Sequence, residues 1–242
     1  MGYAFVLDGR LQIGGRSEAR HRSDPVSAKG CPEPPEIAAL EKTCKVKVDR
    51  PPRRIQHLGD VRPSEIAHSG LLYLPNKYIV PGGRFHEMYG WDSYFIILGL
   101  IQDSRVDLAK AMVENFSYEI EHYGGILNAN PTYYFTCSQP PFLSSMIRAV
   151  YDAESSAGYK HQAAAWLPRA YGYASRDHAL WLSDFHKAGD TGLARYFDLG
   201  EGPVEEMADD NTHYPDVIRW LLAHPETALL VFSIRLQRGC GR

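Results

Sequence analysis

The chain has 242 residues, of which 44% are hydrophobic and 23% charged, a composition typical of a globular domain. With 26 Lys and Arg residues against 29 Asp and Glu, the formal charge of −3 supplies no overall positive field for a phosphate backbone. The longest apolar runs, such as 94–98 and 228–232, are far shorter than the roughly 20 residues of a membrane-spanning helix. We therefore expect neither a nucleic acid nor a membrane as a partner.

Residues 1–69 predict an irregular or disordered leader that carries no export signal. This stretch contains seven of the sixteen prolines and shows no sustained period of 2 or 3.6 residues. Its start lacks the charged region, long apolar region and cleavage site of a secretory signal. The four cysteines lie far apart without a C-x-x-C pair, which argues against a zinc site or a disulfide framework. We therefore expect a cytoplasmic protein with reduced thiols.

From residue 70 to 224, helical segments alternate with Gly, Pro and Asn, which predicts an all-α core. Segment 91–101 is apolar almost all round and predicts a helix buried on every side. The next helix begins after Asp103 or Ser104 as N-cap and ends before Gly124. Its apolar residues share one face; they are Ala109, Met112, Val113, Phe116 and Ile120.

Two more helices follow in the same region. The first begins at the proline pair 140–141, because proline is favoured in the first turn of a helix. Its apolar side consists of Phe142, Met146, Ile147 and Val150. The second spans about 162–184, where Pro168 and Gly172 predict a kink or a split. In a helix interior these residues cost about 3 and about 1 kcal/mol relative to alanine.

The end of the chain differs in amino-acid composition from the helical region. A fifth helix is predicted to begin near Pro215, and the helical domain to end at residue 224. Residues 225–242 join an apolar run to a basic, Gly-rich terminus, which predicts an atypical C-terminal end. The chain thus divides into a leader, a helical domain over 70–224 and this terminal segment.

The densest group of chemistry-bearing residues lies at 81–95, PGGRFHEMYGWDSYF. Aromatic faces cover the apolar side of a pyranose, while carboxylates and a guanidinium bond to its hydroxyls, so this mixture suits a sugar site. Alternatively, Arg84 pairs internally with Glu87 or Asp92 at a loop-to-helix junction. A zinc site is excluded here, because an H-E-x-x-H motif needs a second histidine where Gly90 stands.

A second polar group lies at 128–141, NANPTYYFTCSQPP, immediately before the helix that begins with prolines. Asn128 and Gln139 each supply two donors and an acceptor, which suits neighbouring sugar hydroxyls. Amides in loops can equally cap their own backbone, so both readings of these two side chains stay open.

The 81–95 segment strongly resembles the first signature of the α,α-trehalases, inverting glycoside hydrolases with an (α/α)6 toroid fold. The likeness continues through 128–141 and into 186–203, HKAGDTGLARYFDLGEGP. It implies hydrolysis of α,α-trehalose to two glucoses with inversion, without a metal or organic cofactor. The length of 70–224 allows about half of twelve helices, so we expect an incomplete toroid whose exposed inner helix faces favour self-association.

The resemblance also implies six substrate-binding positions, with trehalose or glucose as the small-molecule partner. They match Arg84, Trp91, Asp92, Asn128, Gln139 and, on a looser alignment, Glu206. The family's catalytic acid lies in a later Gly-Trp-Asp segment and its base lies beyond a Gln-Trp-Asp segment. The only Trp-Asp pair in this sequence is 91–92, within the first signature, so neither of these later segments occurs. We therefore identify no catalytic residue and expect a trehalase-like hydrolase that is weakly active or inactive.

Two alternatives to that function remain at this point. In the first, the chain is a non-catalytic carbohydrate-binding or scaffold protein derived from a trehalase. In the second, Glu87 and Asp92 form an acid and base pair for another glycoside. The second is disfavoured, because two residues five apart near a helix start do not lie on opposite sides of a sugar ring.

Three positions depart from the family pattern. Cys137 and Pro131 stand where the family has arginines, and Pro168 interrupts a helix that the family keeps uninterrupted. Neither sulfur nor a pyrrolidine ring replaces the charged fork of a guanidinium, whose hydrogen bonds to a ligand are worth about 1.5 to 3 kcal/mol each.

Overall fold

The computed structural model of the protein describes residues 50–66, 69–83, 85–199 and 223–224, and the backbone of 4–7 and 10–13. Four sequence predictions therefore lie outside the described residues. They concern Arg84, Glu206, the helix near Pro215 and the terminal segment 225–242.

Within the described residues, four α-helices form the body of the fold. They are α1 (Asp92–Gln102), α2 (Val106–His122), α3 (Leu143–Ser156) and α4 (Lys160–Trp181). Short 3-10 turns lie at Pro63–Glu65, Thr132–Tyr134 and Gly189–Thr191. In the leader, β1 (Ala4–Leu7) pairs antiparallel with β2 (Arg10–Ile13), a hairpin that the prediction of an irregular leader missed. The core itself is all-α, as predicted.

Helix α2 confirms the predicted apolar face. All five of its predicted apolar residues are buried, and Asn115, Ser117 and Glu119 are buried beside them. The predicted N-cap is wrong, since Arg105 is the residue before the helix. Ser104 instead takes a positive φ of 60°, which turns the chain sharply between α1 and α2.

Helix α1 does not have the complete burial that its composition predicts. Only Ser93 and Ile97 are buried, while Phe95 and Leu98 are 55% and 41% exposed. The helix packs against α2 and α3. An apolar pattern all round a helix therefore reflects its composition and does not report how many neighbours cover it.

Helix α4 corrects the expectation of a split, since it is continuous through Pro168. Pro168 and Gly172 both lie on its exposed side, and a Cβ built at Gly172 meets no atom within 4 Å. The carbonyl left without an intrahelical partner by proline can therefore be solvated by water, so the helix continues.

Residues 50–66 belong to the core, although the sequence places them in the leader. They are largely irregular, as predicted, but Ile55, Leu58 and Val61 are buried in the same cluster as α2 and α3. The amide of Gly59 donates a 3.1 Å hydrogen bond to the carbonyl of Phe135. The expectation of disorder is therefore wrong for this part, because an irregular segment can bury apolar side chains without showing any period.

Candidate functional site

The two sugar-site segments of the sequence lie side by side in the fold. The amide of Gly90 donates to the carbonyl of Asn128 at 2.9 Å, and Tyr89 pairs with Ala129 in an antiparallel bridge. The amide of Met88 donates to Oδ1 of Asn130 at 2.9 Å. Segments 88–90 and 128–130 therefore form one short ladder, which brings residues about forty positions apart into one place.

Gln139 is held against the start of α1. The amide of Trp91 donates to Oε1 of Gln139 at 2.7 Å. A Cβ built at Gly90 would lie 3.0 Å from that same Oε1 and 3.0 Å from the carbonyl oxygen of Leu127. Glycine at position 90 therefore lets the glutamine side chain and the ladder approach each other, because a larger residue would push them apart.

Trp91 and Asp92 present an aromatic face and a carboxylate at the beginning of α1. The Trp91 ring is 40% exposed, and its centroid lies 5.9 Å from Phe95 and 6.1 Å from Phe142. Asp92 occupies the first turn of α1, where the helix dipole favours a negative charge. Its carboxylate makes no hydrogen bond or ion pair with any described residue. Both groups are therefore available to a ligand.

Asn128 is buried and is held from two sides. Its backbone N–H donates to the backbone carbonyl of Cys137 at 2.8 Å, and its side-chain Nδ2 donates to the hydroxyl of Tyr196 at 3.4 Å. That hydroxyl in turn donates to the carbonyl of Ser138 at 2.5 Å. Burial raises the pKa of Tyr196 to about 12, so the hydroxyl keeps its proton at physiological pH. Sequence reasoning missed Tyr196, although it lies in the 186–203 segment that resembles the family.

Glu119, on α2, accepts a hydrogen bond from the backbone next to the ladder. Its side chain is fully buried, and its Oε2 accepts a 3.1 Å hydrogen bond from the amide of Leu127, next to Asn128. Its Oε1 has no hydrogen-bond partner among the described residues. Burial raises the pKa of this carboxyl to about 8, although the bond from Leu127 acts in the opposite direction. The helical spacing from Phe116 could have placed Glu119 on the buried face.

Cys137 is buried, and its sulfur lies 3.3 Å from Oδ2 of Asp198. Cys137 is disulfide-bonded. The expectation of reduced thiols is therefore wrong for Cys137. No cation is supplied at this position, where the resemblance implies an arginine.

Glu87 accepts hydrogen bonds from neighbouring residues of its own loop. Its Oε2 accepts from the amide of His86 at 2.9 Å and from the hydroxyl of Tyr89 at 3.2 Å. A carboxylate that accepts two hydrogen bonds from its own loop is poorly placed to protonate a leaving group. This observation counts against the alternative in which Glu87 and Asp92 act as an acid and base pair.

The described residues contain no group of three or more His, Cys, Asp or Glu side chains that could hold a metal ion. In the same part of the chain, no helix is both long enough and apolar enough to cross a membrane.

An aromatic face, a carboxylate and two side-chain amides thus lie together near the start of α1 in a helical fold. The Trehalase family profile matches residues 21–216, most of the chain. The chain therefore belongs to the trehalase family. Among solved structures it is similar to neutral trehalase Nth1 from Saccharomyces cerevisiae, with a TM-score of 0.69 and 32% identity. That match covers 89% of this chain and 42% of the other, and it confirms the predicted helical toroid class.

Curated relatives match over a shorter stretch. The chain is 44% identical over 144 residues to a probable trehalase of Eremothecium gossypii, covering 59% of this chain and 19% of that protein. It is 42% identical over 142 residues to the cytosolic neutral trehalase of S. cerevisiae, covering 58% and 18%. With the periplasmic trehalase of Xanthomonas campestris it shares 39% identity over 156 residues, covering 64% and 26%. The chain thus spans about a fifth to a quarter of these relatives.

Proposed function

We propose that the chain binds one glucose unit of α,α-trehalose and that it hydrolyses the disaccharide slowly or not at all. The sugar is held by the six substrate-binding positions that the family resemblance implies. One observation carries the proposal: Asp92, Asn128 and Gln139, together with the exposed ring of Trp91, converge on one short ladder. Each of the three polar side chains keeps an oxygen or nitrogen that bonds to no described residue.

The reaction of the family explains why binding and cleavage can be separated in this chain. Inversion needs a carboxylic acid on one side of the scissile bond and a carboxylate about 6.5 to 9.5 Å away that activates water. The later Trp-Asp segments with which these two groups are associated in trehalases are absent, since the only Trp-Asp pair in this sequence is 91–92, in the first signature. Asp92 is proposed to bind a hydroxyl, and a single carboxylate cannot fulfil both catalytic roles.

A sugar-induced rise in melting temperature, measured beside glucose release, tests the proposal. We expect trehalose or glucose to raise the Tm of the purified chain, because a ligand that binds only the folded state stabilises it. We expect glucose release no faster than from heat-inactivated protein. Rapid release that Asp92→Asn abolishes would show that this chain is a complete hydrolase. No Tm shift with either sugar would contradict the binding proposal.

Asp92→Asn is expected to weaken glucose binding about tenfold or more. The substitution keeps the shape of the side chain but removes the charge, and a charge-assisted hydrogen bond is worth about 1.5 to 3 kcal/mol. Isothermal titration calorimetry measures the change. Asp107→Asn is the matched control, because Asp107 also lies in the first turn of a helix but pairs with Arg105 on the surface. Equal losses in both variants would exclude a binding role for Asp92.

We infer that the exposed face of α1 pairs with a second copy of the chain. Phe95 and Leu98 lie beside the exposed Trp91 ring, and an isologous contact needs only one such patch. Phe95→Ser should shift the chain toward monomer in sedimentation velocity. Tyr171→Ser is the control, because Tyr171 is 69% exposed on α4, away from this face. A monomeric wild-type chain would refute this inference.

The proposal includes a cytoplasmic location. It is supported by relatives named cytosolic neutral trehalases, such as those of Beauveria bassiana and S. cerevisiae. The X. campestris relative is named a periplasmic trehalase, and the disulfide at Cys137 is more typical of that oxidising compartment. Fractionation of cells that produce the full chain separates the two locations.

A further inference from the structure

We propose that Tyr196 is a positioning residue that determines which end of the Asn128 amide faces the sugar. In this arrangement Asn128 offers an acceptor and Gln139 offers a donor. The inference rests on the proposed function, because it concerns the same sugar site. It adds a residue that does not touch the sugar, and it assigns a direction to the hydrogen bonds of the two amides.

The orientation of the Gln139 amide follows from its backbone partner. The N–H of Trp91 can only donate, so it must meet the carbonyl oxygen of the side chain, and Oε1 lies 2.7 Å away. The NH2 group of Gln139 is left without a partner among the described residues. Gln139 therefore presents two N–H donors beside the ladder, near the start of α1.

The orientation of the Asn128 amide follows from Tyr196. The carbonyl of Ser138 can only accept, so the single proton of the Tyr196 hydroxyl points at it across 2.5 Å. The hydroxyl can then only accept from Asn128, which requires Nδ2 to face it, as observed at 3.4 Å. If the amide were turned around, Oδ1 would face the lone pairs of the hydroxyl. Oδ1 is thus left for a ligand.

Packing keeps Tyr196 in place. Its ring stacks on Trp181 with centroids 6.4 Å apart and an interplanar angle of 26°. Trp181 also lies against the fully buried His186, at 4.4 Å between ring centroids. Asn128 is itself buried, so its amide cannot exchange this hydroxyl for bulk water. The direction of the hydrogen bond at Asn128 is therefore set by packed aromatic rings behind the site.

This arrangement predicts which sugar substituents the site accepts. Oδ1 of Asn128 and the carboxylate of Asp92 are acceptors, so each requires a hydroxyl that donates its proton. Replacing such a hydroxyl with fluorine removes the donor and leaves a poor acceptor facing an oxygen. At Gln139 the same replacement costs little, because the amide nitrogen donates.

The experiment compares glucose with its 2-, 3-, 4- and 6-deoxyfluoro analogues on the full chain by calorimetry. For the wild type, we expect at least one fluorine to weaken binding about tenfold or more. In Tyr196→Phe the Asn128 amide is free to turn, so the fluorine penalty at the position facing Asn128 should fall to about threefold or less. Tyr171→Phe is the control, because it removes an exposed tyrosine hydroxyl on α4 and should keep every penalty.

A second measurement uses the wild type and stays informative even if Tyr196→Phe folds poorly. The side-chain NH2 signals of Asn128 and Gln139 are assigned by nuclear magnetic resonance with Asn128→Asp and Gln139→Glu. Glucose should shift the NH2 signals of Gln139 much more than those of Asn128. The opposite pattern, or an unchanged fluorine penalty in folded Tyr196→Phe, overturns the role of Tyr196 while glucose binding persists. Absence of glucose binding in the wild type overturns the proposed function itself.

Discussion

Replacing Gly124 with alanine is expected to destabilise the protein by about 4 kcal/mol or more. Gly124 has a φ of +86°, a conformation that costs an L-residue roughly 1 to 2 kcal/mol. A Cβ there would lie 2.3 Å from the carbonyl carbon of His57 and 2.6 Å from the amide nitrogen of Leu58. Both atoms belong to the backbone, so no side-chain rotation can relieve the overlap. Urea unfolding monitored by circular dichroism measures the loss.

Gly172→Ala provides the matched control for this experiment. Gly172 lies within α4 on its exposed side, and an added Cβ meets no atom within 4 Å. Alanine should therefore raise the free energy of unfolding by about 1 kcal/mol through helix propensity. Similar small changes in both variants would mean that 57–58 does not pack against the end of α2. The contrast thus tests whether residues 50–66 belong to the core.

Glu119→Gln should remove much of the pH dependence of stability. The folded pKa of Glu119 is about 8, above its unfolded value near 4.5, because burial favours the neutral carboxyl. The stabilising contribution of the neutral group is complete below pH 4.5 and is lost as the pH rises to about 8. The slope is about 1.4 kcal/mol per pH unit over that interval. Urea unfolding at pH 5 and pH 8 should show a loss of several kcal/mol that the variant largely lacks.

The contribution of a second buried acid, Asp177, to the pH dependence of stability must be separated from that of Glu119. Burial raises the pKa of Asp177 to about 7, so its contribution is also lost with rising pH, between about 4 and 7. Asp177→Asn should therefore flatten only the lower part of the curve, and the double variant should flatten most of it. A wild-type chain equally stable at pH 5 and pH 8 would show that Glu119 ionises freely in the folded state. Glutamine at 119 can still accept from Leu127, so the ladder should persist.

Local pattern was sufficient for the apolar helix faces, which depend on the spacing of neighbours in sequence, but it misplaced the starts of α2 and α3. The buried face of α2 follows from apolar residues at helical spacing. The predicted start of α3 at the proline pair is wrong, because the helix begins at Leu143 and neither proline lies in its first turn. The order of residues in 81–95 and 128–141 was specific enough to indicate the family, and the four described substrate-binding positions that it implies stay a prediction. These features are decided within a few turns or within one loop, where sequence separation is short.

The sequence by itself determined the helical class, the faces of α2 and α3, and which two segments carry the candidate sugar-binding chemistry. Tertiary structure alone decided that 88–90 pairs with 128–130 and that Tyr196 orients the Asn128 amide. It also decided that Phe95 is exposed while Ile55 is buried. Burial and hydrogen-bond direction depend on which distant residues complete the surroundings of a group. No local period encodes that information, because it arises only when separate segments pack together.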